Sequence, residues 1–151
     1  MKSAFSMIEL IFIIVIMGIL GATMQMNMPD NRLFSDVNFI TQKIKSKQIY
    51  ALSYDNFDYE NSQFIDDSTC ITINKDFLNE DERNSSKANP YQISTKTTLS
   101  ISDENLCFDN LGRVYKLNNL LNLPIELNIT YKNRTKTVNI MPLSGSVIIK
   151  K

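Results

Sequence analysis

Between Phe5 and Met24 the chain is apolar at every position except Ser6, Glu9 and Thr23. As a helix, twenty residues reach about 30 Å, the thickness of a bilayer's hydrocarbon core. The run is longer than the roughly 7–15 apolar residues at the centre of a secretory signal, so it reads as a membrane span. Lys2 is the only charge ahead of it, and no Lys or Arg follows until Arg32. That bias puts the N-terminus in the cytoplasm and the bulk of the chain outside. Pro29 removes a backbone donor and predicts a kink or restart, with Asp30 or Asn31 opening the next segment. Leu33, Val37, Ile40, Ile44 and Ala51 then share one helical face, while Arg32, Asp36, Lys43 and Lys47 are placed away from it. The pattern is an amphipathic helix to about Leu52, so the N-terminal third reads as one long helix.

The period changes after that helix. Residues 55–69 are acidic and Asn-rich and read as a loop, and Cys70-Ile71-Thr72-Ile73 alternates as a strand. Residues 76–90 form a second polar stretch with room for a helical turn. Residues 91–102 and 106–108 are strand candidates, and Asp109-Asn110-Leu111-Gly112 turns into Val114-Tyr115-Lys116-Leu117. The cleanest alternation is Ile125, Leu127, Ile129 and Tyr131 against Glu126, Asn128, Thr130 and Lys132. It turns at Lys132-Asn133-Arg134, returns through Val138 and Ile140, and turns again at Leu143-Ser144-Gly145-Ser146. The expected fold class is α+β, a long helix, transmembrane and then amphipathic, packed on a C-terminal antiparallel β-sheet domain.

The 151 residues fit one domain and an appendage. Sixteen basic and sixteen acidic residues give zero formal charge, which argues against a nucleic-acid binder that relies on bulk positive potential. Asp55, Asp58, Glu60, Asp66, Asp67, Asp76, Glu80, Asp81 and Glu82 make the middle acidic, and Lys132, Arg134, Lys136, Lys150 and Lys151 make the end basic. These read as a solvated surface or as complementary faces of neighbouring subunits. There is no histidine, and the cysteines are Cys70 and Cys107 alone, a poor zinc set. In an oxidising compartment the pair can form one disulfide; otherwise they are two buried thiols.

Without histidine neither a Ser-His-Asp nor a Cys-His site can be built. No P-loop, dinucleotide glycine pattern or EF-hand spacing occurs. Asp66 and Asp67 lack the glycine-turned ladder of a calcium loop and read as solvated. The expectation is no enzyme, no cofactor and no metal. Asn84-Ser85-Ser86 and Asn128-Ile129-Thr130 match the N-glycosylation acceptor, each with an acid two residues earlier as in its bacterial form. In an Asn-rich chain they read as chance matches, and Asn128 falls in an expected strand.

Glu9 carries the most specific signal. A carboxylate at the centre of a membrane helix is disfavoured by roughly 2.5–3.5 kcal/mol, and by less near an end. The segment Ala4-Phe5-Ser6-Met7-Ile8-Glu9-Leu10 and its apolar continuation resemble the processing site and helix of type IV pilins and pseudopilins, with Gly18 where that helix commonly has glycine. Ala4 stands where the family usually has glycine before the cut, and Pro29 lies a little later than its usual kink proline. The resemblance implies a leader of residues 1–4, cleavage between Ala4 and Phe5 by prepilin peptidase, and N-methylation of Phe5. It also implies an assembly role for Glu9 as fifth mature residue. Cleavage creates an amine of pKa about 7.7–8.0 that can pair with Glu9 of its own or an adjacent subunit.

The resulting organisation is a leader at 1–4, a transmembrane and assembly helix at 5–28, an amphipathic helix at 29–54 and an antiparallel β domain at 55–151. Residues 108–114 and 138–147 look like the two late glycine turns of minor pseudopilins of the GspH/FimT type, and residues 44–51 are loosely similar to the end of their long helix. The implied function is a minor subunit of a type II secretion pseudopilus or type IV pilus, at the tip or in initiation. The implied partners are other pilin subunits, prepilin peptidase, an inner-membrane assembly platform and membrane lipid. The implied location is the bacterial inner membrane, as a single pass with a periplasmic domain, and then the filament. Two alternatives stand beside it. One is a pseudopilin of a DNA-uptake system whose basic C-terminal strands touch phosphate. The other is an ordinary exported protein, cut by signal peptidase after Ala22, or a single-span anchored one.

Overall fold

The computed structural model describes residues 7–26 and 31–150, with side chains for residues 7–20 and 31–150. The chain divides between Asn31 and Arg32 into two compact units.

The first unit contains α1 (Met7–Met26), and the second begins with α2 (Arg32–Ser53). The expected continuous N-terminal helix is therefore corrected to two separate helices. Pro29, between them in sequence, has no amide to donate in a continuous helix; α1 is apolar on every side, whereas α2 has one buried stripe that joins the core. Among the described residues no helix is long and apolar enough to cross a membrane. This overturns both the transmembrane helix and the single-pass inner-membrane location. Pro29, the expected kink, lies outside the described residues.

The expected single β-sheet is also corrected. The elements after α2 are β1 (Phe57–Asp58), β2 (Gln63–Phe64), β3 (Cys70–Thr72), α3 (Lys75–Arg83), β4 (Thr97–Ile101), β5 (Asn105–Phe108), β6 (Val114–Lys116), β7 (Asn119–Leu120), β8 (Ile125–Tyr131), β9 (Arg134–Ile140) and β10 (Val147–Ile149). They form a β1–β2 hairpin and two four-stranded antiparallel sheets, ordered β10-β9-β8-β4 and β3-β5-β6-β7. The short strands between residues 70 and 120 pair with one another, and only β4 crosses to join the longer C-terminal hairpin. Part of the expected loop at 55–69 is the β1–β2 hairpin, and the strand expected over 91–102 is confined to β4. In α3 the Asn74 side chain caps the helix by accepting from the Asp76 amide.

Strand alternation sets the inner face of the larger sheet. Ile125, Leu127 and Ile129 of β8 are buried and face Ile140, Val138 and Lys136 of β9 in register. α2 packs on β8, β9 and β10 of this sheet and on β3 and β5 of the other. Its Leu33, Val37, Ile40, Ile44 and Ala51 share one core with Ile71, Leu106, Phe108 and Val114. Each of these Val, Leu, Ile and Phe side chains, fully buried, contributes about 1.5–3 kcal/mol.

The two late glycine turns meet at the C-terminal part of α2. Gly112 and Gly145 have φ of +75° and +59°, the left-handed region that glycine enters without strain. Gln48 Nε2 donates to the Ser144 carbonyl at 2.7 Å, and the Val114 amide donates to the Pro142 carbonyl at 2.7 Å. A Cβ on Gly145 would lie 2.4 Å from the Gly112 carbonyl oxygen and 2.6 Å from Gln48 Nε2. Gly145→Ala should therefore lower stability by about 1–3 kcal/mol from backbone strain alone, with the clash added. Urea denaturation checks this, and adding Gln48→Ala should recover part of the loss.

Candidate functional site

In α1 the described large apolar side chains lie open on every side, from Ile13 at 40% to Met7 at 84% exposed. Glu9 stands in the first turn and is exposed. A carboxylate there complements the positive end of the helix dipole, an effect of about 0.3–1 kcal/mol. Gly18 faces open space, with nothing within 4 Å of an added Cβ. A helix that is apolar all round needs an apolar covering. Ala4 and Phe5, the expected cleavage and methylation site, lie outside the described residues.

Within the second unit, Cys70 of β3 and Cys107 of β5 are directly opposite in the ladder and are joined, with an S–S distance of 1.99 Å. Tyr115 of β6 is the next partner of Cys107. Phe57, Phe64 and Tyr115 pack beside the disulfide, with ring centroids 4.8–5.4 Å apart. Lys43 and Lys47 of α2, Phe77 of α3 and both cysteines line a groove of about 620 Å³. Its lining is mixed, with Lys43, Lys47, Asp67 and Asp81 beside Phe64 and Phe77.

Three buried carboxylates organise this unit; Asp36, expected away from the buried stripe, and Glu82, expected on an acidic surface, are both corrected to the interior. Asp36 has a fully buried side chain that accepts from the Tyr91 hydroxyl and from Thr97 Oγ1, each at 2.5 Å, with Arg32 Nε 3.6 Å away. Burial, then the bond to Asp36, pushes the Tyr91 phenol far above its ordinary value. Asp109 accepts from the Leu111 and Arg113 amides and pairs with the Arg113 guanidinium at 2.6 Å, holding the Gly112 turn. Glu82, 2% exposed, receives Lys43 at 2.8 Å and Lys87 at 2.6 Å. Spacing held a clue to Asp36, which lies three residues after Leu33 and four before Ile40, within the core-facing arc. No comparable local signal marks Glu82.

Asp66 is a loop organiser, accepting from the Ser68 amide at 2.7 Å and from Asn56 Nδ2 at 2.9 Å. Among the described residues no group of three or more His, Cys, Asp or Glu could hold a metal ion. Of the basic C-terminal residues, Lys150 pairs with Glu126 at 2.6 Å, while Arg134 and Lys136 are exposed on β9.

Compared with known proteins, the chain matches no family model, no curated protein and no solved structure.

Two measurements check these contacts. The bonds from Lys43, then Lys87, hold the Glu82 carboxyl below its ordinary 4.5. Its contribution is thus complete above that value and is lost as pH falls through the lower folded-state value. Glu82→Gln should lower stability at pH 7 by about 1–3 kcal/mol, and its gap from the parent should shrink below pH 4.5. Replacing Cys70 and Cys107 together by serine should lower stability by about 2–4 kcal/mol in urea, and dithiothreitol should then affect the parent alone.

Proposed function

We propose that the chain is a structural subunit of a pilin-like filament that assembles through α1. One observation carries this reading: a helix apolar on every described side, with Glu9 in its first turn. Such a surface suits helices of neighbouring subunits, which cover it and bring a cation to the carboxylate. The Phe5-Ser6-Met7-Ile8-Glu9 context supports a mature chain that begins at Phe5, whose terminal amine is that cation. On this reading prepilin peptidase removes residues 1–4, the partners are copies of the chain or related subunits, and the second unit is the part displayed on the filament. The reading assigns no catalysis and no cofactor. A DNA-uptake version adds phosphate contact by exposed Arg134 and Lys136 on β9.

A second reading, an ordinary exported protein, is favoured by one observation: no helix among the described residues is long and apolar enough to cross a membrane. In this case α1 belongs to an export signal with no part in assembly.

Mass spectrometry of the mature N-terminus separates the two. N-methyl-Phe5 is expected for the filament subunit, whereas a start at Thr23 or an intact Met1 would sink that reading. Glu9→Ala should leave cleavage unchanged and remove the protein from sheared filaments. Normal incorporation of that variant would show that the carboxylate plays no part in assembly.

A further inference from the structure

The chain carries three Asn-x-Ser/Thr triplets, and the fold treats them differently. Asn128-Ile129-Thr130 lies inside β8, where Asn128 Oδ1 accepts from Thr137 Oγ1 at 2.6 Å. Thr130 Oγ1 is 2.9 Å from Thr135 Oγ1 across the ladder. Asn133-Arg134-Thr135 runs from the β8–β9 turn into β9, so its hydroxyl residue is the other member of that same pair. Both triplets are held in sheet hydrogen bonds and cannot be drawn out without breaking the hairpin.

The third, Asn84-Ser85-Ser86, begins where α3 ends. Asn84 is the C-cap residue and is exposed, as is Ser86, and residues 84–90 have no regular structure. Among the described residues neither the Asn84 carboxamide nor the Ser86 hydroxyl makes a hydrogen bond, and the local ties are Asn84 N to Glu80 O and Ser85 to Glu82 O. An acceptor triplet must leave its own fold to lie extended in a transferring enzyme, which an exposed helix end permits. The triplet also has an acid, Glu82, two residues before the asparagine.

We infer that Asn84 is an N-glycosylation site, the acceptor of a polyprenyl-pyrophosphate-linked oligosaccharide. Asn84 Nδ2 attacks the anomeric carbon of the first sugar. The N–C bond forms as the C–O bond to pyrophosphate breaks, the polyprenyl pyrophosphate leaves with the electron pair, and one amide proton passes to the enzyme's base. In the folded chain Lys43 and Lys87 hold Glu82, so an enzyme that reads this acid acts before the last turn of α3 has closed. The inference rests on the export common to both readings above, and its test is independent of export.

The full chain is incubated with a purified bacterial oligosaccharyltransferase and its lipid-linked oligosaccharide, before and after refolding from urea. Intact mass and peptide mapping are the readouts. The expected result is one glycan on Asn84, absent in Asn84→Gln and Ser86→Ala, retained in Ser86→Thr and unchanged in Asn128→Gln. Glu82→Gln should reduce occupancy at least tenfold in the chain modified during refolding. An unmodified chain in both reactions, or a glycan on Asn128 or Asn133 in place of Asn84, overturns the inference. The oxidation state of Cys70 and Cys107 in protein recovered from cells reports export separately.

Discussion

The second unit depends on one packing arrangement, the burial of α2's stripe against two sheets at once. Leu33, Val37, Ile40, Ile44 and Ala51 form a single core with residues from β3, β5, β6, β8 and β9. Neither sheet is large, and each has strands of only two to four residues or an open edge. A small sheet with one uncovered apolar face is marginal in water. α2 supplies that cover for both sheets, so loss of its register would disturb both together.

The polar contacts gather around that helix and fix its position. Asp36 ties its first turns to Tyr91 and Thr97, Lys43 ties its middle to Glu82 of α3, and Gln48 ties its last turns to the Ser144 turn. Buried carboxylates are tolerated here because each is hydrogen-bonded or paired. They add direction to a hydrophobic contact that has little of its own. The disulfide and the ring cluster beside it secure the smaller sheet, whose short strands contribute few ladder bonds.

α1 answers to a different constraint. Its described side chains form no polar face, and its one described charge stands in the first turn. The described core of the second unit is built from that unit's own residues.

Repeating patterns were enough to read much of this chain. The stripe of α2 and the alternation of β8 were legible because burial on a helix or strand follows a fixed period. The apolar surface of α1 and the role of Gly112 and Gly145 in turns were legible for the same local reasons. Tertiary structure decided the rest: two sheets in place of one, and the burial of Asp36 and Glu82. These depend on which distant segments meet. Short strands carry too few residues to specify a partner, and a carboxylate's burial is settled by the donor that reaches it. Asp36 required Tyr91 and Thr97, and Glu82 required Lys43 from another helix, none of which a local pattern contains.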